Sequence, residues 1–218
     1  MTDIKKQDPF YIDVISDVVC PWCFLGKRRL DAALRQFPTQ SIEVRWRPFQ
    51  LDPSIPDGGF DRSGYLTRKF GSIDRLAEVQ GRLTDLGKDV NIHFKFSEIQ
   101  RAPNTINAHR LIRWAYRFGR QDEIVESIFI SYFENGLDIG DPLVLASLAD
   151  LSGFNREEIY DRLVSDEDRE SVAQEAHKAT EIGVQGVPFF IFGGKLSVSG
   201  AEPVETLAHA IREAIAMS

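Results

Sequence analysis

The sequence predicts an α/β protein built from a strand–helix–strand unit, a long all-helical stretch and a closing strand–strand–helix unit. Three observations predict it. A β-branched and aromatic run, Phe10-Tyr-Ile-Asp-Val-Ile-Ser16, hands over to a helical repeat through Cys20-Pro21-Trp22-Cys23. Residues 60–182 then keep helical periodicity and offer no convincing strand. Finally, Pro188-Phe-Phe-Ile-Phe192 and Leu196-Ser-Val-Ser199 flank Gly193-Gly194-Lys195, a tight hairpin turn, ahead of a last amphipathic helix. With 218 residues, 43% of them hydrophobic, the chain can build one large domain or a domain with a sizeable insertion.

Taken in order, Phe10–Ser16 reads as a buried strand. In the helix that follows, Leu30, Ala33, Leu34 and Phe37 recur at helical spacing. Ser41–Phe49 alternates Ile42, Val44 and Trp46 with Glu43, Arg45 and Arg47, which is a second strand with one solvated face. So short a crossover implies a parallel pair joined right-handedly. The Pro/Gly-rich segment Leu51–Gly59 marks the boundary, giving a core of residues 1–58 and 183–218 around a helical insertion of residues 59–182.

Within the insertion, Leu76, Val79, Leu83 and Leu86 form one stripe. Ile124, Val125, Ile128, Phe129, Tyr132 and Phe133 form a wider one, apolar enough to lie at the centre of a bundle. Asp141-Pro142 and Asn155-Arg-Glu-Glu158 are helix starts, the second a near capping box. A polar helix is expected from about Asp166 to Ile182, with Val172, Ala176, Ala179 and Ile182 inward and Gly183 ending it. Pro203 opens the last helix, with Val204, Leu207, Ala208, Ile211 and Ile215 inward.

Composition narrows the function. No run of 18 or so apolar residues spans a membrane, and Met1–Pro9 has no apolar core of a secretory signal, so a reducing cytoplasm is the expected compartment. The net charge of −7 hides +6 over residues 61–120 and −13 over residues 121–218. The basic residues are dispersed rather than clustered, which argues against nucleic acid and favours solvated helix faces. Anionic substrates drawn to the basic middle are the other reading of that polarity.

The chemistry sits in Cys20-Pro21-Trp22-Cys23. Pro21 suits the first helical position because its missing N–H would be unpaired there anyway. Cys20 is then the N-cap, its sulfur facing free backbone N–H groups that favour thiolate over thiol. Cys23 follows three residues on, on the same face. One sulfur is placed to attack and the other to resolve, which makes a redox pair and needs no bound cofactor or metal. Zinc would need two of His93, His109, His177 and His209 beside these only two cysteines, and no such pair has close ligand spacing. A purely structural disulfide closing so small a loop would constrain the unfolded chain very little.

The segment Asp17-Val-Val-Cys-Pro-Trp-Cys-Phe-Leu-Gly26 resembles the active-site segment of the DsbA-like thioredoxin-fold oxidoreductases, in particular the FrnE-type branch. Asn104-Thr105…Ala108-His109-Arg110-Leu111, Gly186-Val187-Pro188-Phe189-Phe190 and Val198-Ser199-Gly200-Ala201 extend the likeness across the chain in the family's order. The resemblance implies a thioredoxin-like core, βαβ…ββα, interrupted by the helical insertion. It implies a cis Val187–Pro188 bond beside Cys20, leaving the N–H and C=O of Val187 to pair with an extended substrate. It also places the helix of Asn104 and His109 opposite the cysteines, where His109 would support the Cys20 thiolate; a packed, hydrogen-bonded histidine is the alternative. One departure stands out: many thioredoxin-like enzymes carry a buried acid six residues before the first cysteine, and here that residue is Val14. Asp13 or Asp17 would have to substitute.

The expected function is a thiol–disulfide oxidoreductase, a reductase or isomerase of protein disulfides, with Cys20 attacking and Cys23 resolving. Its expected partners are disulfide-containing proteins or peptides, glutathione as a candidate co-substrate, and an electron donor or acceptor that regenerates the pair. Two alternatives remain open: a glutathione-dependent enzyme similar to the kappa transferases or 2-hydroxychromene-2-carboxylate isomerases, which typically have serine in place of Cys20, and a non-enzymatic client-binding chaperone.

Overall fold

The computed structural model describes residues 9–217; the expectation that no secretory signal is present falls mostly on residues 1–8, outside the described ones. β1 (Phe10–Ser16) passes through α1 (Pro21–Leu34) to β2 (Ile42–Pro48). β1 and β2 pair in parallel, with Phe10 opposite Ile42 and Ser16 opposite Pro48. The chain continues through β3 (Phe60–Asp61), α2 (Arg62–Phe70), α3 (Ile73–Lys88) and β4 (Arg101–Ala102). Five helices follow: α4 (Ile106–Tyr116), α5 (Gln121–Phe133), α6 (Pro142–Leu151), α7 (Arg156–Val164) and α8 (Arg169–Glu181). β5 (Phe189–Phe192), β6 (Leu196–Ser199) and α9 (Val204–Ala216) close the fold. The main sheet runs β2-β1-β5-β6, with β5 antiparallel to β1, so the strand carrying the cysteines forward lies beside the strand that follows Pro188.

Four local expectations need correction. The stretch from 60 to 182 does contain strands, since β3 and β4 pair antiparallel. Two residues are too few to show alternation, and their pairing is made by chain some forty residues apart. α1 stops at Leu34, and Phe37 lies in the following turn, its N–H donating to Leu34 O at 2.9 Å. α8 starts at Arg169 rather than Asp166, after Asp168 in a left-handed conformation. Ile182 is its C-cap and is 71% exposed, because the chain turns away at Gly183 with φ of +95°.

The other helix starts behave as their caps dictate: Asp141 accepts from the Leu143 N–H and Asn155 from the Glu158 N–H. The wide stripe of α5 is buried throughout, and the Phe24 ring from α1 stacks on Phe129 with centroids 5.1 Å apart. One hydrophobic core therefore runs from the sheet into the helices. Lys27 of α1 is buried against Asp31 of its own helix and against Asp122 and Glu126, the two that tie α1 to α5. Rigid packing on both sides fixes where the first turn of α1 sits.

Candidate active site

Cys20 is the N-cap of α1, with extended backbone (φ −90°, ψ 112°) and Pro21 at the first helical position. Its N–H donates to Asp17 O at 3.0 Å, while its carbonyl accepts from the Cys23 N–H at 3.0 Å. This leaves the sulfur at the positive end of the helix dipole. Both cysteines are thiols, Cys20 4% exposed and Cys23 fully buried. Only an edge of Cys20 reaches solvent, and Cys23 is the more shielded of the two.

The Val187–Pro188 peptide bond is cis. The Cys20 thiol donates to Val187 O at 3.5 Å, so in the dithiol form that carbonyl faces the sulfur. Gly26, in the second turn of the cysteine helix, lets this contact form: a Cβ there would stand 2.8 Å from Pro188 Cγ and 3.2 Å from Phe190 Cζ. Burial pushes the Cys23 thiol well above its ordinary range, and the neighbouring Cys20 pushes the same way. The Ser16 hydroxyl and the Asp17 backbone pull it the other way. One thiol at a helix terminus and its buried partner three residues on form a dithiol able to cycle to a disulfide.

The model of the DSBA-like thioredoxin domain matches residues 11–212. The chain belongs to that family. A probable DsbA oxidoreductase from Streptomyces coelicolor is 27% identical, with a TM-score of 0.87 over 96% of this chain and 91% of that one. The uncharacterized protein YwbO of Bacillus subtilis (strain 168) is 28% identical over 93% of this chain and 96% of its own length. Two structures below the identity that says more than fold are also similar. A 2-hydroxychromene-2-carboxylate isomerase has a TM-score of 0.71 at 16% identity, covering 95% of this chain and 99% of that one. The cytosolic disulfide reductase DsbM from Pseudomonas aeruginosa, also solved with GSH, has a TM-score of 0.66 at 16% identity, covering 95% of this chain and 100% of that one.

Within this DSBA-like frame, the remaining predicted residues divide. Trp22 is half-buried beside Cys23, and the guanidinium of Arg82 from α3 lies 5.8 Å from its ring centroid. Asn104 makes structural contacts: Nδ2 donates to Ile55 O at 2.6 Å and Oδ1 accepts from the Ile106 N–H at 3.0 Å. His109 is buried, with Nε2 3.0 Å from Phe49 O and 3.5 Å from Asp17 Oδ1. A carbonyl oxygen only accepts, so Nε2 carries a hydrogen. Its hydrogen bond therefore goes to the loop after β2 and not to Cys20.

Of the two candidate substitutes for the missing acid, Asp13 is held by Arg47 at 2.7 Å. Asp17 is buried next to the cysteines, with Oδ2 accepting from the Leu51 N–H at 2.8 Å. Arg110, in the motif with His109, is fully buried and caps α7: it donates to the carbonyls of Arg162, Leu163 and Ser165, and to Glu167 O. Sequence reasoning misses Ser16, Gly26 and Arg82. A glycine inside a helical pattern is a packing signal that points to Gly26. Ser16 ends a strand in the ordinary way, and nothing in the sequence connects Arg82 to Trp22. Among the described residues, no group of three or more His, Cys, Asp or Glu side chains is arranged to hold a metal, and no helix is long and apolar enough to cross a membrane.

Proposed function

We propose that this protein, a member of the FrnE-type branch, is a cytoplasmic thiol–disulfide oxidoreductase that reduces or isomerises disulfides of proteins or peptides. The observation that carries the reading is the asymmetry of its dithiol, with Cys20 at the helix N-terminus against the Val187 carbonyl and Cys23 buried behind it. The Cys20 thiolate attacks one sulfur of the substrate disulfide. A mixed disulfide forms and the other substrate sulfur leaves as a thiolate. Cys23 then attacks Cys20 Sγ, the Cys20–substrate bond breaks, and the substrate departs reduced while the pair is left as a disulfide. Two electrons have passed to the substrate, and an external thiol donor must return them. An extended substrate would lie along Val187–Pro188 and pair with its backbone.

Glutathione fits as donor or co-substrate, the tripeptide with which DsbM was solved. The isomerase fold-likeness leaves a glutathione-dependent isomerase as the competing activity, but the second cysteine serves no purpose in that chemistry. Cys23→Ser tests the reading. It should accumulate mixed disulfides with clients, seen on non-reducing gels as bands that collapse with reductant. Equal trapping by Cys20→Ser would refute the order of attack, and full activity in the Cys20→Ser, Cys23→Ser double variant would favour client binding without redox chemistry.

A further inference from the structure

Three polar residues expected near the cysteines spend their side chains on one loop. His109 Nε2 donates to Phe49 O at 3.0 Å, and Asn104 Nδ2 donates to Ile55 O at 2.6 Å. Asp17 Oδ2 accepts from the Leu51 N–H at 2.8 Å, and Tyr65 Oη of α2 donates to Asp52 Oδ2 at 3.0 Å. The Phe49 N–H completes the set by donating to Ser16 O at 3.0 Å. Asp17 and His109 are 1% and 4% exposed, so burying them is costly unless each is bonded. A connecting segment on the surface is ordinarily mobile. Here five hydrogen bonds hold Phe49–Ile55 in one place.

That place is the end of the sheet where the cysteines lie. β1 and β2 are parallel, with Ser16 opposite Pro48, so the turn to Cys20 and the loop from Phe49 leave the sheet side by side. β5 is antiparallel, with Ile15 opposite Phe189, so Val187 and Pro188 arrive at the same end. Phe49 packs with Ile15, Ala179 and Val184, and the half-buried Val187 lies against that cluster. Asp17 ties loop to sulfur: its side chain holds Leu51, while its carbonyl accepts from the Cys20 N–H at 3.0 Å. Residues 17–23, 49–51 and 186–188 include one acidic or basic residue, Asp17, and it is buried. In a chain with 27% charged residues, these segments thus bring no exposed charge to the cysteines. The Arg82 guanidinium borders them from α3, against Trp22. Leu51, 38% exposed, is the most open apolar residue of the three segments.

We infer that Phe49–Ile55 is a second wall of the substrate site, beside Val187–Pro188, with Leu51 as its contact residue, and that the preferred substrates are peptide disulfides carrying an apolar residue next to the cysteine. The inference rests on the proposed oxidoreductase function and names its substrate class. Backbone pairing to Val187 holds any extended chain alike, so it does not select among sequences. Selection comes from the side chain beside the disulfide, which leaves water for Leu51 as the Cys20–substrate bond forms. Asp17, His109 and Asn104 are positioning residues. They fix the loop before a substrate arrives, so little ordering is left to be done on binding. Glutathione, whose cysteine is flanked by glycine and glutamate, offers no apolar side chain for this contact.

The test measures second-order rate constants for the reduction of two disulfide-linked peptide dimers by the reduced protein. The dimers differ only in having leucine or asparagine next to the cysteine, and glutathione disulfide is measured beside them. Each rate is divided by that of the same disulfide with dithiothreitol, which removes differences in intrinsic reactivity. The leucine peptide should then react about ten-fold faster than the asparagine peptide. In Leu51→Ser that ratio should fall to within about two-fold. Asn104→Ala, which frees the Ile55 carbonyl, should lower the ratio as well, whereas a merely structural loss would slow both peptides alike. An unchanged ratio in Asn104→Ala would overturn the positioning role. No preference in the unsubstituted protein, a preference that survives in Leu51→Ser, or glutathione disulfide reacting faster than the leucine peptide would overturn the inference. Failure of the unsubstituted protein to reduce any of the three disulfides would instead overturn the oxidoreductase reading on which it rests.

Discussion

The thiol of Cys20 lies 3.5 Å from the carbonyl oxygen of Val187, a residue 167 positions away on the approach to β5. The contact joins the start of α1 to the cis Val187–Pro188 bond, and so couples the attacking sulfur to the backbone that would receive a substrate. Because β1 and β5 are neighbours in the sheet, with Ile15 opposite Phe189, the two halves of the site are fixed to one another by strand pairing.

The first prediction concerns selectivity. Cys20 reaches solvent at the helix N-terminus, whereas Cys23 does not reach it at all. Alkylation of the reduced protein near neutral pH, followed by peptide mass mapping, should label Cys20 far faster. Preferential labelling of Cys23 would reverse the assigned roles.

Gly26→Ala should damage both stability and turnover. The added methyl meets Pro188 and Phe190 inside van der Waals contact, and neither ring can move without disturbing the strand pairing behind it. Overpacking of this kind costs about 1–3 kcal/mol. Thermal unfolding should report that loss, and reduction of a model disulfide should slow. A variant as stable and active as the unsubstituted protein would show that Pro188 is not held where the structure places it.

Arg110→Leu should destabilise the fold by at least ~3 kcal/mol, because four backbone carbonyls, three at the end of α7 and one in the segment before α8, lose their donors together. Arg110→Lys should rescue little, since one ammonium cannot reproduce the guanidinium fork. Denaturant unfolding measures both. A cost below ~1 kcal/mol for the leucine variant would mean that the loop finds other partners.

A pH effect follows from the Cys23 thiol. Its acidity in the folded dithiol is weakened, above all by burial, so the folded state holds this proton more tightly than the unfolded state does. The stability gained is fully present below the ordinary cysteine value of 9.0 and is lost as pH rises from there through the raised folded value. Denaturation curves of the reduced protein should therefore fall more steeply above about pH 9 than those of Cys23→Ala, by up to ~1.4 kcal/mol per pH unit. Parallel curves would count against a buried neutral Cys23.

Much of this site was legible in the sequence because it depends on local rules. Cys20 as N-cap and Pro21 at the first helical position follow from helix-end chemistry, and β1, β2, β5 and β6 from alternation and turn residues. What was not legible is set by distant packing. The two-residue β3 and β4 exist only because each finds the other. Asn104 and His109 were placed by resemblance near the sulfurs, but their side chains are taken by the carbonyls of Ile55 and Phe49, loop groups whose position no periodicity encodes. The cation beside Trp22 comes from Arg82 on a helix that the sequence could not dock.

The most direct test of the account is the redox equilibrium of the Cys20–Cys23 pair against glutathione buffers. Trp22 brings no charge between the cysteines, so the helix terminus is the main support of the thiolate and the reduced form is only moderately favoured. The pair should pass from dithiol to disulfide in a single two-electron step, with a potential between roughly −270 and −180 mV, in the range of thioredoxin and protein disulfide isomerase. A value near about −120 mV would contradict the argument from Trp22. Failure of Cys20 and Cys23 to form a disulfide at any buffer ratio would contradict the oxidoreductase reading itself.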